Sequence, residues 1–335
     1  LQMDEPIVPA GENLFGSSEL DMSINNAPTN KSISVIICTL NNYDGLEKCV
    51  ESICRQDLSP KEIIVVHGEQ EGDVAQKVRQ WLTGTTIDFK YVRTIRSLVV
   101  QRNIGIDHAS GDVVVFLDDD VILMPRYFKN LLSVYESRWN ARLGGVQGVI
   151  VENSTIEWWH PLEIVNRMFL LPSVTGKGVL LASANPSFRG DCREVEKVEV
   201  FSGCMMSFRG EVLKQHRFDE NFREFWLFDD VELSYRISRH YDLYQTPLAR
   251  LHHLSSSPTY EGHAKIAKMS AINRSYLFKK YFRHSYFNWC PFLWSSLGET
   301  LVNLLQSIKH LNFKPIKGLL EGWMLVYKKR IPYLQ

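Results

Sequence analysis

The run Phe116-Leu-Asp-Asp-Asp-Val-Ile-Leu123 sets three carboxylates, Asp118, Asp119 and Asp120, inside an apolar frame. Left unpaired in partly buried surroundings, they would repel one another and resist ionisation. A divalent cation relieves that repulsion. Oxygen-rich sites suit Mn2+ or Mg2+, which take one or two carboxylates and complete their shells with water and phosphate oxygens. An acidic turn that caps the next helix is the plainer use of such a run, but its place directly after an apolar segment favours a metal. A second acidic pair opens Asp229-Asp-Val-Glu-Leu233, where carboxylates in a first helical turn are favoured by the dipole, and N-capping alone would explain them. His252-His253 closes a further apolar run. Together these residues offer ligands for a cation, a candidate general base and an imidazole, the parts of a metal-assisted group transfer.

Such groups need rigid elements to hold them. Ser32–Cys38 and Glu62–Val66 are nearly continuous apolar runs, which suit strands covered on both faces, and Asp112–Leu117 is a third that leads straight into the three aspartates. Between them, Leu46, Cys49, Val50 and Ile53 recur at helical spacing behind Asp44, a plausible N-cap. Val74, Val78 and Trp81 mark a second amphipathic stretch, and Gln101–Ala109 reads as a third helix. Short buried strands alternating with helices predict an α/β fold with a mainly parallel sheet, and ligands sit beyond the carboxyl ends of its strands. Cys38-Thr39, His67-Gly68 and the aspartates all fall there. Further strands are expected at Gly145–Val151, Lys197–Phe201 and Met205–Phe208, with a Gly/Pro/Ser loop over 172–191. Residues 262–283 and 291–330 are helical in period, broken at Pro291 and near Pro315.

The charge balance is even, 38 Lys and Arg against 38 Asp and Glu, and no nucleic-acid partner is expected. Charge is not evenly spread. From Tyr276 to Gln335, nine cations face two glutamates and 13 of 60 residues are aromatic, against 11% for the chain. Leu293, Leu297, Leu301, Leu304 and Ile308 form one apolar stripe there, which either packs on the rest of the protein or touches a membrane surface. No run of 18 apolar residues occurs, so no spanning helix is expected. Residues 1–31 are polar and aperiodic, predicting an extended arm without a signal peptide. Six scattered cysteines without a CxxC pair point to a reducing, cytoplasmic setting, with peripheral attachment to the inner face of the membrane as an option.

In this order the segments resemble the family 2 glycosyltransferases, inverting enzymes of GT-A fold. The matching stretches are Ser34-Val-Ile-Ile-Cys-Thr-Leu-Asn41, Gln101-Arg-Asn-Ile-Gly105, Val115-Phe-Leu-Asp-Asp-Asp120, Phe218-Asp-Glu220 and Asp229-Asp-Val-Glu-Leu233, spread over about two-thirds of the chain. The resemblance implies a GT-A catalytic domain at 32–260, with a nucleotide-binding half at 32–120 and an acceptor half at 121–260, followed by a helical region at 261–335. It implies a UDP-, dTDP- or GDP-sugar donor, a hexosyl or deoxyhexosyl group, and a saccharide or lipid-linked saccharide acceptor. Cys38, Thr39, Asn41, Arg102, Asp118 and Asp119 would meet the nucleotide. Asp120, as the last residue of the family's DxD motif, would hold the metal with His253, which stands six residues after Pro247. Asp230 falls on the catalytic base, in a position where the family often has Glu-Asp. Trp158, Trp159, Gly203 and Asp229 are candidates for the acceptor side.

One departure is clear. The family usually places an Asp that contacts the donor base after the second strand, in a Val-Asp-Asp-Gly-like stretch; this chain reads Val65-Val-His67-Gly68, so His67 takes that place and the donor nucleotide stays open. The sequence also bears on three other readings, of which a lectin-like Ca2+ module would not need a buried parallel sheet. A sugar nucleotidyltransferase should carry a Gly- and Lys/Arg-rich phosphate loop where this chain has Cys38-Thr-Leu-Asn-Asn-Tyr43. A nucleotide-sugar-binding module without catalysis would not need both acidic clusters intact.

Overall fold

A computed structural model of the chain describes residues 31–68, 73–157, 159–222, 227–254, 260–284 and 286–328. The first half alternates strand and helix: β1 (Ile33–Thr39), α1 (Tyr43–Cys54), β2 (Glu62–His67), α2 (Val74–Trp81), β3 (Asp88–Arg93), α3 (Leu98–His108) and β4 (Val113–Asp118). β3 has only partly buried side chains, so its sequence lacks the apolar run that marks β1, β2 and β4. After the aspartates come β5 (Val121–Leu123), α4 (Tyr127–Arg138), β6 (Leu143–Ile150) and the short α5 (Val151–Ser154) and α6 (Pro161–Met168). Residues 172–191 are not a bare loop: β7 (Thr175–Leu180) and β8 (Pro186–Arg189) pair there as an antiparallel hairpin. Next stand β9 (Glu196–Val198), β10 (Met206–Arg209), α7 (Gly210–Gln215), α8 (Asp229–Ser238) and β11 (Asp242–His253). Three helices follow, α9 (Tyr260–Tyr281), α10 (Trp289–Lys309) and α11 (Lys314–Tyr327).

The main sheet runs β3-β2-β1-β4-β10-β6-β11-β5, with β9 paired to the opening half of β11. β1 to β4 are parallel to one another, β10 is antiparallel to both its neighbours, and β11 lies parallel to β6. This is the mixed, mainly parallel sheet that the strand–helix alternation predicts. Alternate side chains of each strand serve opposite faces. Val35 and Ile37 of β1 pack with Leu46 and Cys49 of α1, Val78 of α2 and Leu131 of α4. Ile36, between them, points the other way and joins Val99 and Ile106 of α3, Val212 of α7 and Val231 of α8. Both faces being covered explains why the strands read as unbroken apolar runs.

The C-terminal helices are not detached from this core. Leu277 and Phe278 of α9 and Phe292 of α10 belong to the same apolar cluster as Ile36 and Phe116. Among the described residues, no helix is long and apolar enough to cross a membrane.

Candidate active site

The carboxyl ends of β1 and β4 lie side by side, with Cys38 opposite Asp118 in register. Past them, Asp119 is clasped by Thr39, whose Oγ1 donates over 2.6 Å, and by Asn42, whose Nδ2 donates over 3.0 Å. Asn42, rather than Asp44, is the N-cap of α1, its Oδ1 accepting from the Gly45 N–H at 3.2 Å. A Cβ on Gly45 would lie 2.6 Å from the Asp119 carbonyl oxygen, so the turn admits only glycine at this close approach. Burial pushes the Asp119 carboxyl up to about 6, against the two hydrogen bonds that favour its charged form.

Arg102 of α3 joins the two acidic clusters. Almost wholly buried, it donates from Nη1 to Asp229 Oδ2 at 2.6 Å and from Nη2 to Asp118 Oδ1 at 3.4 Å and the Gly203 carbonyl at 3.2 Å. Its guanidinium also stacks over Phe218, 5.4 Å from the ring centre. Asn103 fixes that ring's loop by donating to the Phe218 carbonyl and accepting from the Phe218 N–H. Phe228, in a left-handed conformation (φ 71°) rare for a bulky residue, turns the chain into α8 so that Asp229 and Asp230 occupy its first turn. Asp229 is buried against Arg102, while Asp230 is only half-buried and accepts from the N–H groups of Gly203 (2.7 Å) and Val231 (2.8 Å). Burial, then the negative charge of Asp229, pushes Asp230 up to about 7. Asp229 claims the guanidinium, so Asp230 keeps the rise that Arg102 would otherwise cancel. A free carboxylate would titrate near 4.

The third part comes from β11 pairing antiparallel with β5, His253 opposite Val121 and His252 opposite Ile122. Adjacent strand residues face opposite ways. His253 turns its Nε2 to Asp120 Oδ1 at 3.1 Å, and His252 turns away to Glu152 of α5, Nδ1 to Oε1 at 2.8 Å. The hydrogen bond to Asp120 raises His253 above the usual imidazole value. Ligand atoms of Asp118, Cys204 and His253 lie within 4.8 Å of one another. Burial pushes the Cys204 thiol far up, so it stays protonated, and the ionisable donors are carboxylates and an imidazole.

A cavity of about 730 Å³ opens over these groups, walled by Cys38, Thr39, Leu40, Asn41 and Asn42 on one side, Ile95 to Leu98 and Gln101 on another, and Asp118 to Asp120, His253 and Lys265 on the rest. Burial pushes the Cys38 thiol up to about 12, so it meets the cavity as a neutral group. His67 does not reach the cavity. Fully buried, it meets the Leu40 carbonyl through Nε2 at 2.6 Å and Tyr91 Oη through Nδ1 at 2.9 Å, so it braces the loop from beneath. A carbonyl only accepts, hence Nε2 carries the proton. Arg102 is likewise a buried brace between carboxylates rather than part of the cavity wall. Gly203 positions Asp230 through its N–H, and Asp229 is sealed away by its ion pair. Trp159 is exposed and lines a different hollow, of about 400 Å³, with residues 155–157 and 160–163; Trp158 lies outside the described residues.

A profile of the family described as "Glycosyl transferase family 2" matches residues 34–217, more than half of the chain. The chain belongs to that family. Relatives include the uncharacterized glycosyltransferase YwdF of Bacillus subtilis, 31% identical over 105 residues (31% of this chain, 38% of the relative). The GalNAc(5)-diNAcBac-PP-undecaprenol beta-1,3-glucosyltransferase of Campylobacter jejuni is 35% identical over 104 residues (30% of this chain, 33% of the relative). The matched stretch thus spans little more than a third of these curated relatives. In three dimensions the chain is similar to the mannosyltransferase PcManGT from Pyrobaculum calidifontis in complex with GDP-Man and Mn2+, with TM-score 0.56 and 15% identity over 88% of this chain and 86% of that one. That likeness establishes the GT-A fold.

Several functional side chains of this family 2 member have no individual signal in its sequence. Asn42 competes with Asp44 as a cap, and only the clasp on Asp119 distinguishes them. Gln101 ties β1 to β2 through the Thr39 and Val66 carbonyls. Glu152 holds the end of β11 by accepting from the His253 N–H, 101 residues away, and Lys265 arrives from α9.

Proposed function

We propose that this family 2 protein is a glycosyltransferase that moves a hexosyl or deoxyhexosyl group, with inversion, from a nucleoside diphosphate sugar to a hydroxyl of a saccharide, free, polymeric or lipid-linked. One observation carries the reading: Arg102 bridges Asp118 and Asp229 and also holds the Gly203 carbonyl, while the Gly203 N–H holds the half-buried Asp230, so one guanidinium links the two acidic clusters. The cavity volume falls in the range usual for small-molecule sites and is ample for a nucleoside diphosphate. Thr39, Asn41 and Leu40 suit its nucleoside end, and Arg96 and Lys265 bring positive charge to its wall.

The donor set fits a hard divalent cation such as Mn2+ or Mg2+, because carboxylate oxygens and one imidazole converge where the nearby thiol stays protonated. Asp120, His253 and Asp118 would hold it. When bound, the cation supplies positive charge against the negative charge that gathers on the leaving diphosphate. Asp230 acts on the other reactant. Each of its oxygens already accepts one N–H and keeps a lone pair, so it can receive the acceptor hydroxyl's proton. The acceptor oxygen then bonds to the anomeric carbon, the bond from that carbon to the diphosphate oxygen breaks, and the nucleoside diphosphate departs with the electron pair.

The Pyrobaculum structure's GDP-Man and Mn2+ support this donor class and metal, and the Campylobacter relative's name supports a lipid-linked acceptor among the options. The test is a screen of UDP-, dTDP- and GDP-sugars with and without Mn2+, with the product's anomeric configuration read by NMR. Transfer should occur with inversion and stop in excess EDTA. Retention of configuration would overturn the inverting mechanism, full activity in chelator the metal, and no binding of any nucleoside diphosphate the enzyme reading.

A further inference from the structure

Helix α10 is built inside out. Its inward face carries Ser295, Gly298 and Ser307, with Phe292 as the one large apolar residue. Ser295 accepts from Arg274 of α9 and from Asn185, and Arg274 also reaches Glu299 at 3.2 Å, so the contact between α9 and α10 joins this polar cluster to the packing of Phe278 on Phe292 and Trp289. The outward face is the apolar one: Leu293, Leu297, Leu301, Leu304 and Ile308 are 58, 58, 41, 40 and 53% exposed. At about 100° per residue they fall within an arc of roughly 80°. A helix facing water has the opposite arrangement.

This face extends beyond the helix. Trp294 stacks on Phe169, ring centres 4.9 Å apart, and donates to the Met168 carbonyl, which sets α6 with its exposed Leu162 and Met168 alongside. Exposed aromatics and cations mark both ends. Arg283, Tyr286 and Phe287 precede the helix, and Lys309, Phe313, Lys314 and Lys317 follow its stripe. The acids of this region are engaged inward or paired, Glu299 with Arg274 and Glu321 with Lys268.

We infer that α10 lies in the plane of an anionic lipid bilayer, its leucines in the acyl boundary, its aromatics at headgroup depth and its flanking cations on the headgroups. Three features select a bilayer over a second copy of the chain. The apolar face is bordered by cations that a like-charged copy would repel and anionic headgroups attract. Aromatic side chains gather at its margins, as at a membrane interface. At 21 residues, about 31 Å, the helix is long enough to float in the interface. The inference does not rest on the glycosyltransferase reading, because binding is measured without any sugar donor.

The test is flotation of the full chain with phosphatidylcholine vesicles and with vesicles containing phosphatidylglycerol, together with quenching of tryptophan emission by brominated acyl chains. The chain should float with the anionic vesicles at low salt and be quenched. Leu297→Asp with Leu301→Asp should lower partition by roughly tenfold or more per residue, with unchanged melting temperature because both are exposed. Lys309→Gln, Lys314→Gln and Lys317→Gln should each cost about fivefold and reduce the salt dependence. No flotation, or a dimer in light scattering that the leucine variants abolish while vesicle binding is absent, overturns the inference.

Discussion

Arg102 donates to Asp229 across 2.6 Å with both side chains buried, tying α3 to the first turn of α8. Breaking such a pair from one side strands a charge in the interior, which typically costs about 3–5 kcal/mol. Arg102→Met should therefore lose stability of that order in urea unfolding, and adding Asp229→Leu should restore much of it. Arg102→Lys keeps the charge but lacks the fork that reaches Asp229, Asp118 and the Gly203 carbonyl together, so an intermediate loss is expected. A raised donor KM with wild-type stability in Arg102→Lys would instead make this residue a nucleotide contact.

The rise of Asp230 to about 7 gives opposite pH trends for activity and stability. As a base, Asp230 must be ionised, so kcat/KM at saturating metal should fall about tenfold per pH unit below 7. Stability runs the other way. An unfolded aspartate titrates near 3.9, so between about pH 4 and 7 the folded chain binds the extra proton, and acidification through that window stabilises it. Asp119, raised to about 6, adds in the same direction over a narrower range. Asp230→Asn should lower turnover by roughly 10²–10⁴. It should also remove repulsion from Asp229 and raise the melting temperature at pH 8. A rate profile flat from pH 5 to 8, or normal turnover in this variant, would exclude Asp230 as the base.

The register of β11 decides which histidine meets the carboxylates. His253 faces Asp120 and His252 faces Glu152. His253→Ala should weaken Mn2+ binding in the presence of a nucleoside diphosphate by more than about 100-fold, and His252→Ala by about 10- to 100-fold, as a change behind the ligands does. Because the hydrogen bond to Asp120 favours the protonated form of His253, the cation competes with that proton. Calorimetry should show proton release that grows from pH 8 to 6 while affinity falls. Equal losses in the two alanine variants would mean that β11 is shifted in register.

How much of this was legible in the sequence depends on whether a residue acts through its own strand or through a distant partner. Apolar runs ending in Cys38-Thr39 and in Asp118 located β1, β4 and the cavity mouth, because buried strands are continuous and ligands lie past their ends. β3 escaped because it is only partly buried and has no such run. The hairpin β7–β8 escaped because Gly176, Gly178 and Pro186 interrupt its strands and it has no apolar run. The order of the motifs predicts Asp120, His253 and Asp230 in one site, yet nothing local tells that Arg102 pairs with Asp229, 127 residues away, or that the apolar stripe on α10 faces outward. Periodicity reports that a helix has two faces, and only packing says which one is inside.

His67 separates structural support from donor contact. It stands where the family usually has an Asp toward the donor base, but both ring nitrogens are occupied, one by the Leu40 carbonyl and one by Tyr91. Tyr91 Oη in turn accepts from Arg93 Nε at 3.1 Å, so the three strand ends of β1, β2 and β3 are coupled through one imidazole. His67→Ala takes this partner from a partly buried carbonyl and a partly buried hydroxyl, at no more than about 1–3 kcal/mol each. Stability should drop by a few kcal/mol at most, since a water can enter the space and recover part of the loss. Leu40 to Asn42 wall the cavity, so the loosened loop should raise KM for whichever donor is used by a similar factor across UDP-, dTDP- and GDP-sugars, with kcat changed less. His67→Asn, which can still donate to the Leu40 carbonyl, should recover part of both effects. If His67→Ala left stability intact and altered the preference among the three nucleotides, the imidazole would be reading the donor base rather than bracing the loop beneath it.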